Sequence, residues 1–152
     1  MSTSSCAEDA EQIRNLVARA ADATCRRDPD RWVDTWAEDG IWQLSGESIQ
    51  GREELRGRWI AGMAKFPYVA LLVFNSEVIV KDSTGTGSWY ILELNRNVAD
   101  ETRMMVGNYT DEYVRTAEGW RFARRSYQRM YLGPLDPGVM TLPGIRPGSV
   151  RI

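Results

Sequence analysis

Apolar residues recur at steps of three and four along the first part of the chain, which is the spacing of an amphipathic helix. The stripe within residues 7–27 consists of Ile13, Leu16, Val17, Ala20, Ala21 and Thr24. Asp28-Pro29 ends this helix, because the residue before proline avoids helical angles and proline has no backbone N–H. Pro29 suits the start of a second, short helix through Ala37, with Asp28 as its N-cap. The buried side of this second helix consists of Trp32, Val33 and Trp36.

Asp39-Gly40 is a turn signal, and the pattern beyond it is mostly that of β-strands. A first strand is predicted over residues 41–44, followed by a loop or hairpin arm and by a helix over 52–65. Four further strands are predicted over 69–80, 87–96, 103–115 and 120–131. Helices followed by a long antiparallel meander predict an α+β fold, with the helices on one face of a curved antiparallel sheet.

The two ends of the chain differ from this predicted domain, which spans residues 10–132. Residues 1–9 are polar and acidic, lack the features of a signal peptide, and predict a flexible tail. Residues 133–152 contain four glycines and four prolines, which exclude regular structure. This Gly/Pro-rich arm is either a frayed tail or an extended segment lying over the domain.

The composition excludes several classes of function. Nineteen Lys and Arg are balanced by 21 Asp and Glu, whereas a nucleic-acid surface needs clustered, uncompensated positive charge. No apolar run reaches the ~20 residues of a membrane span. Cys6 and Cys25 lack the spacing of a metal site or a disulfide framework, which predicts a cytoplasmic protein with reduced thiols. The chain contains no histidine, so every His-based general base, nucleophile and metal site is excluded.

Two segments carry a family resemblance: DRWVDTWAEDGIW at residues 30–42 and NYTDEYVRTAEGWRFARR at 108–125. With the order of elements, they make the chain resemble the SnoaL-like, scytalone-dehydratase-like branch of the nuclear transport factor 2-like superfamily. The resemblance implies a cone-shaped, cystatin-like domain whose concave sheet face and first helices surround a pocket for a small hydrophobic or aromatic molecule. It also implies a homodimer through the opposite sheet face. The scaffold hosts dehydratases, isomerases, cyclases, dehydrochlorinases and non-enzymes, so the fold does not decide the function.

The catalytic pair that the resemblance implies is missing. In scytalone-dehydratase-like and dehydrochlorinase-like members, an Asp near the end of the first helix orients a His that removes a proton from carbon. The matching positions here are Cys25 and Leu71, or Ala70 if the strand is shifted. Cys25 is either a reactive thiol or a small hydrophobic side chain. The position of a ketosteroid-isomerase-like carboxylate holds Gln43, which is not a useful base.

Glu93 is the best remaining acid–base candidate. It lies in mid-strand between Leu92 and Leu94, where partial burial raises the pKa of a carboxyl group toward neutrality. The alternative is a structural ion pair with Arg124 or Arg125 on a neighbouring strand. Asp111, which alternates with two tyrosines, presents the same choice.

Tyr109 and Tyr127 are the best hydrogen-bond donors, because a phenol joins an apolar ring to one O–H that can hold a carbonyl oxygen. Asn75 and Asn95 could act likewise. Trp32, Trp36, Trp59 and Trp89 are either core residues or platforms for a flat ligand.

Three hypotheses follow. The first is a cofactor-independent cyclase, isomerase or dehydratase acting on a cyclic, carbonyl-bearing metabolite of the polyketide or steroid type. The second is a non-catalytic binder of a small hydrophobic molecule, or a template that guides ring closure by shape alone. The third is an assembly subunit, as in the small subunits of ring-hydroxylating oxygenases, with no ligand-sized pocket.

Overall fold

The computed structural model describes residues 3–74 and 76–134, with side chains from Cys6 onward. Within these residues the chain forms three helices and seven strands. In chain order they are α1 (Thr3–Arg26), α2 (Pro29–Val33), β1 (Trp36–Leu44), β2 (Glu47–Gln50), α3 (Arg52–Met63), β3 (Tyr68–Val73), β4 (Val78–Lys81), β5 (Thr84–Arg96), β6 (Thr102–Thr116) and β7 (Gly119–Gly133). Asn75 and residues 135–152, which include most of the predicted Gly/Pro-rich arm, lie outside the described residues.

The strands form one curved, open sheet in the order β2-β1-β7-β6-β5-β3, and β4 also pairs with β5. All pairings are antiparallel except that of β1 with β7, which is parallel. The segment predicted as one strand over 69–80 is divided into β3 and β4, which pair with the two halves of β5. The predicted α+β class, with N-terminal helices on a curved sheet, is confirmed.

Helix α1 covers the concave face of the sheet and contacts β3, β4 and β7. Its buried stripe comprises Ile13, Leu16, Val17, Ala20, Ala23 and Thr24. Burying each of the larger aliphatic side chains stabilises the fold by about 1.5–3 kcal/mol. No helix in the described part of the chain is long and apolar enough to cross a membrane.

The start of α1 differs from the prediction, since residues 3–9 of the predicted tail are helical. The side chain of Asp9 is buried there and accepts a hydrogen bond from Trp120 Nε1 at 3.2 Å. It also forms an ion pair with Arg115. These contacts attach the first turns of α1 to the β6–β7 hairpin.

The second helix ends earlier than predicted. Asp28 caps it by accepting a hydrogen bond from the Arg31 N–H at 3.0 Å, as expected, but α2 stops at Val33 instead of Ala37. The Thr35 carbonyl accepts a hydrogen bond from the Phe122 N–H at 2.9 Å, and Trp36 pairs with Phe122. Pairing with β7 therefore overrides the local helical pattern and starts β1 at Trp36.

The opposite, outer face of the sheet carries an exposed apolar patch near β3, β4 and β5. This outer patch consists of Tyr68, Leu72, Phe74, Ile79 and Tyr90. Its residues alternate with inward-facing ones such as Trp89 and Ile91, because successive strand residues point to opposite faces.

Candidate active site

A cavity of about 330 Å³ lies between the concave face of the sheet and the helices. Three tryptophans, Trp32, Trp42 and Trp59, form much of its apolar wall. The Trp32 ring centroid lies 5.2 Å from that of Trp42 and 5.5 Å from that of Trp59, and the rings of Trp32 and Trp59 are stacked. Such a wall suits a flat, largely apolar ligand.

Glu93 and Asn95 project into this cavity from β5. Both lie on the inward face of the strand, where Glu93 is flanked by Leu71 of β3 and Met105 of β6. The Asn95 Nδ2 donates a hydrogen bond to Glu93 Oε1 at 2.9 Å. Burial raises the pKa of Glu93 above its usual 4.5, although the hydrogen bond from Asn95 opposes part of this rise. The carboxyl group therefore has the raised pKa that favours proton transfer nearer neutrality.

Tyr109 of β6 and Tyr127 of β7 pair in register across the two strands, and both line the cavity. Their ring centroids are 5.4 Å apart. Burial raises the pKa of Tyr109 to about 12 and that of Tyr127 above its usual 10, and the charge of Glu93 adds to both shifts. Both phenols therefore stay protonated and can serve as hydrogen-bond donors.

Gly107 provides the space that the Tyr127 ring occupies. A Cβ placed at residue 107 would lie 2.5 Å from Tyr127 Cε2 and 2.9 Å from the Gln128 carbonyl oxygen. Any side chain at this position would push the ring away, so the position of Tyr127 depends on a glycine in mid-strand.

Asp111 does not line the cavity but supports its floor. Arg125 donates to Asp111 from Nε at 2.8 Å and from Nη2 at 2.7 Å, and the Tyr113 hydroxyl donates to the same carboxylate at 2.8 Å. Trp89 Nε1 donates in turn to the Tyr113 hydroxyl at 2.7 Å. The Arg125 guanidinium, which does line the cavity, lies 4.2 Å from the centroid of the Tyr109 ring.

The alternative prediction, an ion pair between Glu93 and Arg124 or Arg125, is wrong. Arg125 pairs with Asp111, and Arg124 Nε approaches Glu112 at 3.8 Å. Glu93 has only a neutral hydrogen-bond partner, Asn95, among the described residues. Its carboxylate is therefore available for chemistry in the cavity.

Among the described residues, no group of three or more Cys, Asp or Glu side chains is arranged to hold a metal ion.

The family model of the SnoaL-like domain matches residues 5–126 of the chain. The chain belongs to the SnoaL-like domain family. No curated protein matches this SnoaL-like chain.

Solved structures with the same fold have low sequence identity to this SnoaL-like protein. A protein from Novosphingobium aromaticivorans, provisionally assigned as an aromatic ring hydroxylase, is 24% identical with a TM-score of 0.78, over 83% of this chain and 92% of that one. A type 2 hexachlorocyclohexane dehydrochlorinase, LinA, is 20% identical with a TM-score of 0.76, over 89% and 94% of the two chains. A provisionally assigned scytalone dehydratase from N. aromaticivorans is 15% identical with a TM-score of 0.77, over 90% and 93%. These likenesses establish the nuclear transport factor 2-like fold.

Cys25 and Leu71, the positions that sequence spacing matched to the family's Asp and His, are neighbours in the structure. The Leu71 N–H donates a hydrogen bond to the Cys25 sulfur at 3.2 Å. Leu71 lines the cavity, whereas Cys25 is exposed and does not line it. The sulfur thus connects α1 to the backbone of β3.

Two other predicted ligand contacts, Trp36 and Trp89, do not line the cavity. Trp36 is fully buried against Phe122, with ring centroids 5.3 Å apart, and does not line the cavity. Trp89 is buried with its N–H bound to Tyr113. Asn75 lies outside the described residues. The predicted residues that the structure brings together are Leu71, Glu93, Asn95, Tyr109 and Tyr127.

Several cavity residues were not predicted from the sequence: Trp42, Arg58, Arg103, Arg125 and Arg129. A signal existed for Arg129, which follows Tyr127 by two residues and therefore shares its face of a regular strand. Trp42 follows the turn at Asp39-Gly40 and alternates with Leu44, another cavity residue.

Proposed function

We propose that this SnoaL-like protein is a cofactor-independent enzyme that performs acid–base chemistry on a cyclic, carbonyl-bearing small molecule. One observation carries the proposal: a largely buried carboxylate, Glu93, shares an apolar cavity with two protonated phenols, Tyr109 and Tyr127. A base and a hydrogen-bond donor within one cavity are the two groups that enolisation of a ketone requires.

In the proposed step, Glu93 takes the proton from the carbon next to the carbonyl group. The electron pair of the broken C–H bond forms a C=C bond, and the carbonyl electrons move onto oxygen as an enolate. The Tyr127 hydroxyl donates a hydrogen bond to this oxygen, with Tyr109 beside it. Protonated Glu93 then returns the proton to a different carbon in an isomerisation, or to a departing β-hydroxyl, which leaves as water, in a dehydration.

The rate of α-proton exchange tests this proposal without knowledge of the natural substrate. The probe is 2-tetralone in D₂O, followed by the loss of its α-proton signals in NMR. The wild-type protein should accelerate the exchange, and Glu93→Gln should slow it by about 100-fold or more, because the amide cannot accept the proton. Tyr127→Phe should cost about 100-fold through the lost oxyanion contact.

Glu53→Gln is the matched control, since it removes one carboxylate from the exposed first turn of α3. It should leave the exchange rate unchanged. A Glu93→Gln variant that folds and exchanges protons as fast as the wild type would remove Glu93 from the mechanism.

The second candidate function is binding, or ring closure guided by shape alone. It is favoured by Cys25 and Leu71 at the positions of the family's catalytic pair. In that case Glu93→Gln would be nearly silent, whereas Leu71→Trp would fill the cavity and abolish ligand binding. The third hypothesis, an assembly subunit without a pocket, is disfavoured by the 330 Å³ cavity.

A further inference from the structure

The cavity contains buried polar atoms that lack a partner. Six buried side-chain nitrogen or oxygen atoms have no hydrogen-bond partner among the described residues, and three of these belong to cavity residues. They are Trp42 Nε1, Asn95 Oδ1 and Tyr127 Oη. An unsatisfied buried polar atom costs about 1–3 kcal/mol, and a molecule in the cavity that presents complementary groups would remove this cost at these three atoms. Two of the three are N–H or O–H donors, so the ligand presents oxygen acceptors to them.

The charged groups of the cavity are unbalanced in favour of arginine. Arg58, Arg103, Arg125 and Arg129 line it, and Glu93 is the one carboxylate among the described lining residues. Arg125 is neutralised by Asp111 in the floor. The other three line the cavity from α3, β6 and β7 and are more exposed than Arg125; they are called here the mouth arginines.

The mouth arginines are weakly compensated. Arg58 and Arg103 contact Glu47 and Glu101 at 2.8 and 2.7 Å, but both carboxylates are about half exposed and lie outside the cavity lining. Exposed pairs of this kind contribute only about 0–1 kcal/mol, so a ligand can compete for the guanidinium groups. Arg129 forms no ion pair with any carboxylate in residues 6–74 and 76–134.

We infer that the ligand is a flat ring compound with a carboxylate at one end and a hydroxyl or carbonyl group on the ring. The carboxylate binds the mouth arginines, chiefly Arg129, and the ring lies against Trp32 and Trp42. The ring oxygen accepts a hydrogen bond from the Tyr127 hydroxyl, and a ring hydroxyl also donates one to Asn95 Oδ1. The inference rests on the proposed function, because it specifies the substrate class of the same site.

The dimensions of β7 agree with such a molecule. Arg129 and Tyr127 are two residues apart on the same face of the strand, which separates them by about 7 Å. The charge of Arg129 also lowers the pKa of Tyr127, against the larger effect of burial, which raises it. A one- or two-ring acid can therefore contact both. Arginine also suits a carboxylate, since the two planar groups form paired hydrogen bonds.

Calorimetric titration with two matched probes tests this inference. The probes are 6-hydroxy-2-naphthoate and 6-hydroxy-2-naphthamide, which have nearly the same shape and differ in charge. The carboxylate should bind about tenfold tighter than the amide, and the preference should shrink as salt rises from about 20 to about 300 mM. Arg129→Gln should reduce the preference to about twofold.

Arg14→Gln is the control, since it removes the same charge from the exposed face of α1 and should preserve the tenfold preference. Equal binding of the two probes, an unchanged preference in Arg129→Gln, or no binding of either probe at millimolar concentration would each overturn the inference. Binding does not require turnover, so the titration is repeated with Glu93→Gln. A preserved carboxylate preference in a wild-type protein that does not accelerate proton exchange would reject the enzyme proposal alone. Wild-type proton exchange without a carboxylate preference would reject the carboxylate alone.

Discussion

Arg125 donates two hydrogen bonds to the carboxylate of Asp111, and the two side chains are only 7% and 0% exposed. The same guanidinium lies over the rings of Tyr109 and Phe122, at 4.2 and 4.1 Å from their centroids. The ion pair therefore holds the Arg125 guanidinium in place against the Tyr109 ring. Because both charges have lost their water, neither can be removed alone without leaving the other uncompensated.

Asp111→Asn should destabilise the fold by about 3–5 kcal/mol, because it leaves the Arg125 charge buried without a counter-ion. Urea unfolding followed by tryptophan fluorescence measures the loss. Glu112→Gln, one residue along β6, is the matched control, since that carboxylate is 60% exposed and approaches Arg124 at 3.8 Å. The control should lose less than about 1 kcal/mol. Equal losses would show that burial does not determine the energy of the pair.

The raised pKa of Glu93 predicts how proton exchange depends on pH. The base must be deprotonated, so the rate should rise with pH through the raised pKa of Glu93, above its usual 4.5. Rates of 2-tetralone exchange on a pH series give this value directly. A midpoint at or below 4.5 would contradict the observed burial.

The same group should make the fold less stable at higher pH. The pKa of Glu93 is higher in the folded protein than in the unfolded chain, so the protonated carboxyl group stabilises the fold below pH 4.5. This stabilisation is lost as the pH rises through the folded-state pKa. The side chain of Glu93→Gln cannot titrate. The melting temperature of this variant should therefore rise relative to that of the wild type between about pH 4 and about pH 8. Glu53→Gln should show no such gain. A constant difference between the Glu93→Gln and wild-type curves would indicate that Glu93 is solvated.

Gly107→Ala should displace the Tyr127 ring, because the added Cβ would lie 2.5 Å from Cε2. Overpacking of this kind costs about 1–3 kcal/mol, and the misplaced hydroxyl should slow proton exchange by about tenfold to 100-fold. The control is Gly57→Ala in α3, where a Cβ meets no atom within 4 Å. That change should instead stabilise the helix by about 0.5–1 kcal/mol. A Gly107→Ala variant that exchanges protons at the wild-type rate would show that the position of Tyr127 is unimportant for the reaction.

The outer patch is the surface through which we expect two copies of the chain to associate. Leu72 and Tyr90 lie on adjacent strands of this patch, and both are about half exposed. Leu72→Glu should convert a dimer to a monomer in sedimentation velocity, because an unpaired carboxylate would be buried in the interface. Val98→Glu, in the exposed turn between β5 and β6, should leave the dimer intact. A wild-type protein that sediments as a monomer would refute the expected homodimer.

Much of the fold could be predicted from local spacing. The stripe of α1 and the alternation of β5 follow directly from the periods of helix and strand, and the apolar residues on both sides of Glu93 are enough to predict its partial burial. The partner of Glu93 was not predictable in this way. Asn95 lies two residues away on the same face, but the sequence offered arginines on a neighbouring strand as equally reasonable partners.

Arg125 was missed because β7 is irregular. Its pairing with β6 shifts between Glu112 and Tyr113 and again between Val106 and Gly107. Each shift inserts an extra residue and exchanges the faces of the strand, so a strict alternation from Phe122 does not lead to Arg125. The early start of β1 at Trp36 has a similar origin, since it depends on hydrogen bonding to a strand more than eighty residues later.

The central place of β7 has a consequence for synthesis on the ribosome. β1 and β2 emerge early, yet β1 can join the rest of the sheet only through β7, which is made last of all the strands in the described residues. Until Gly119–Gly133 has left the exit tunnel, the tryptophan-rich N-terminal third of the nascent chain lacks its parallel neighbour. Contacts so distant in sequence form slowly, so β1 keeps an unpaired edge, open to aggregation, until β7 has been made.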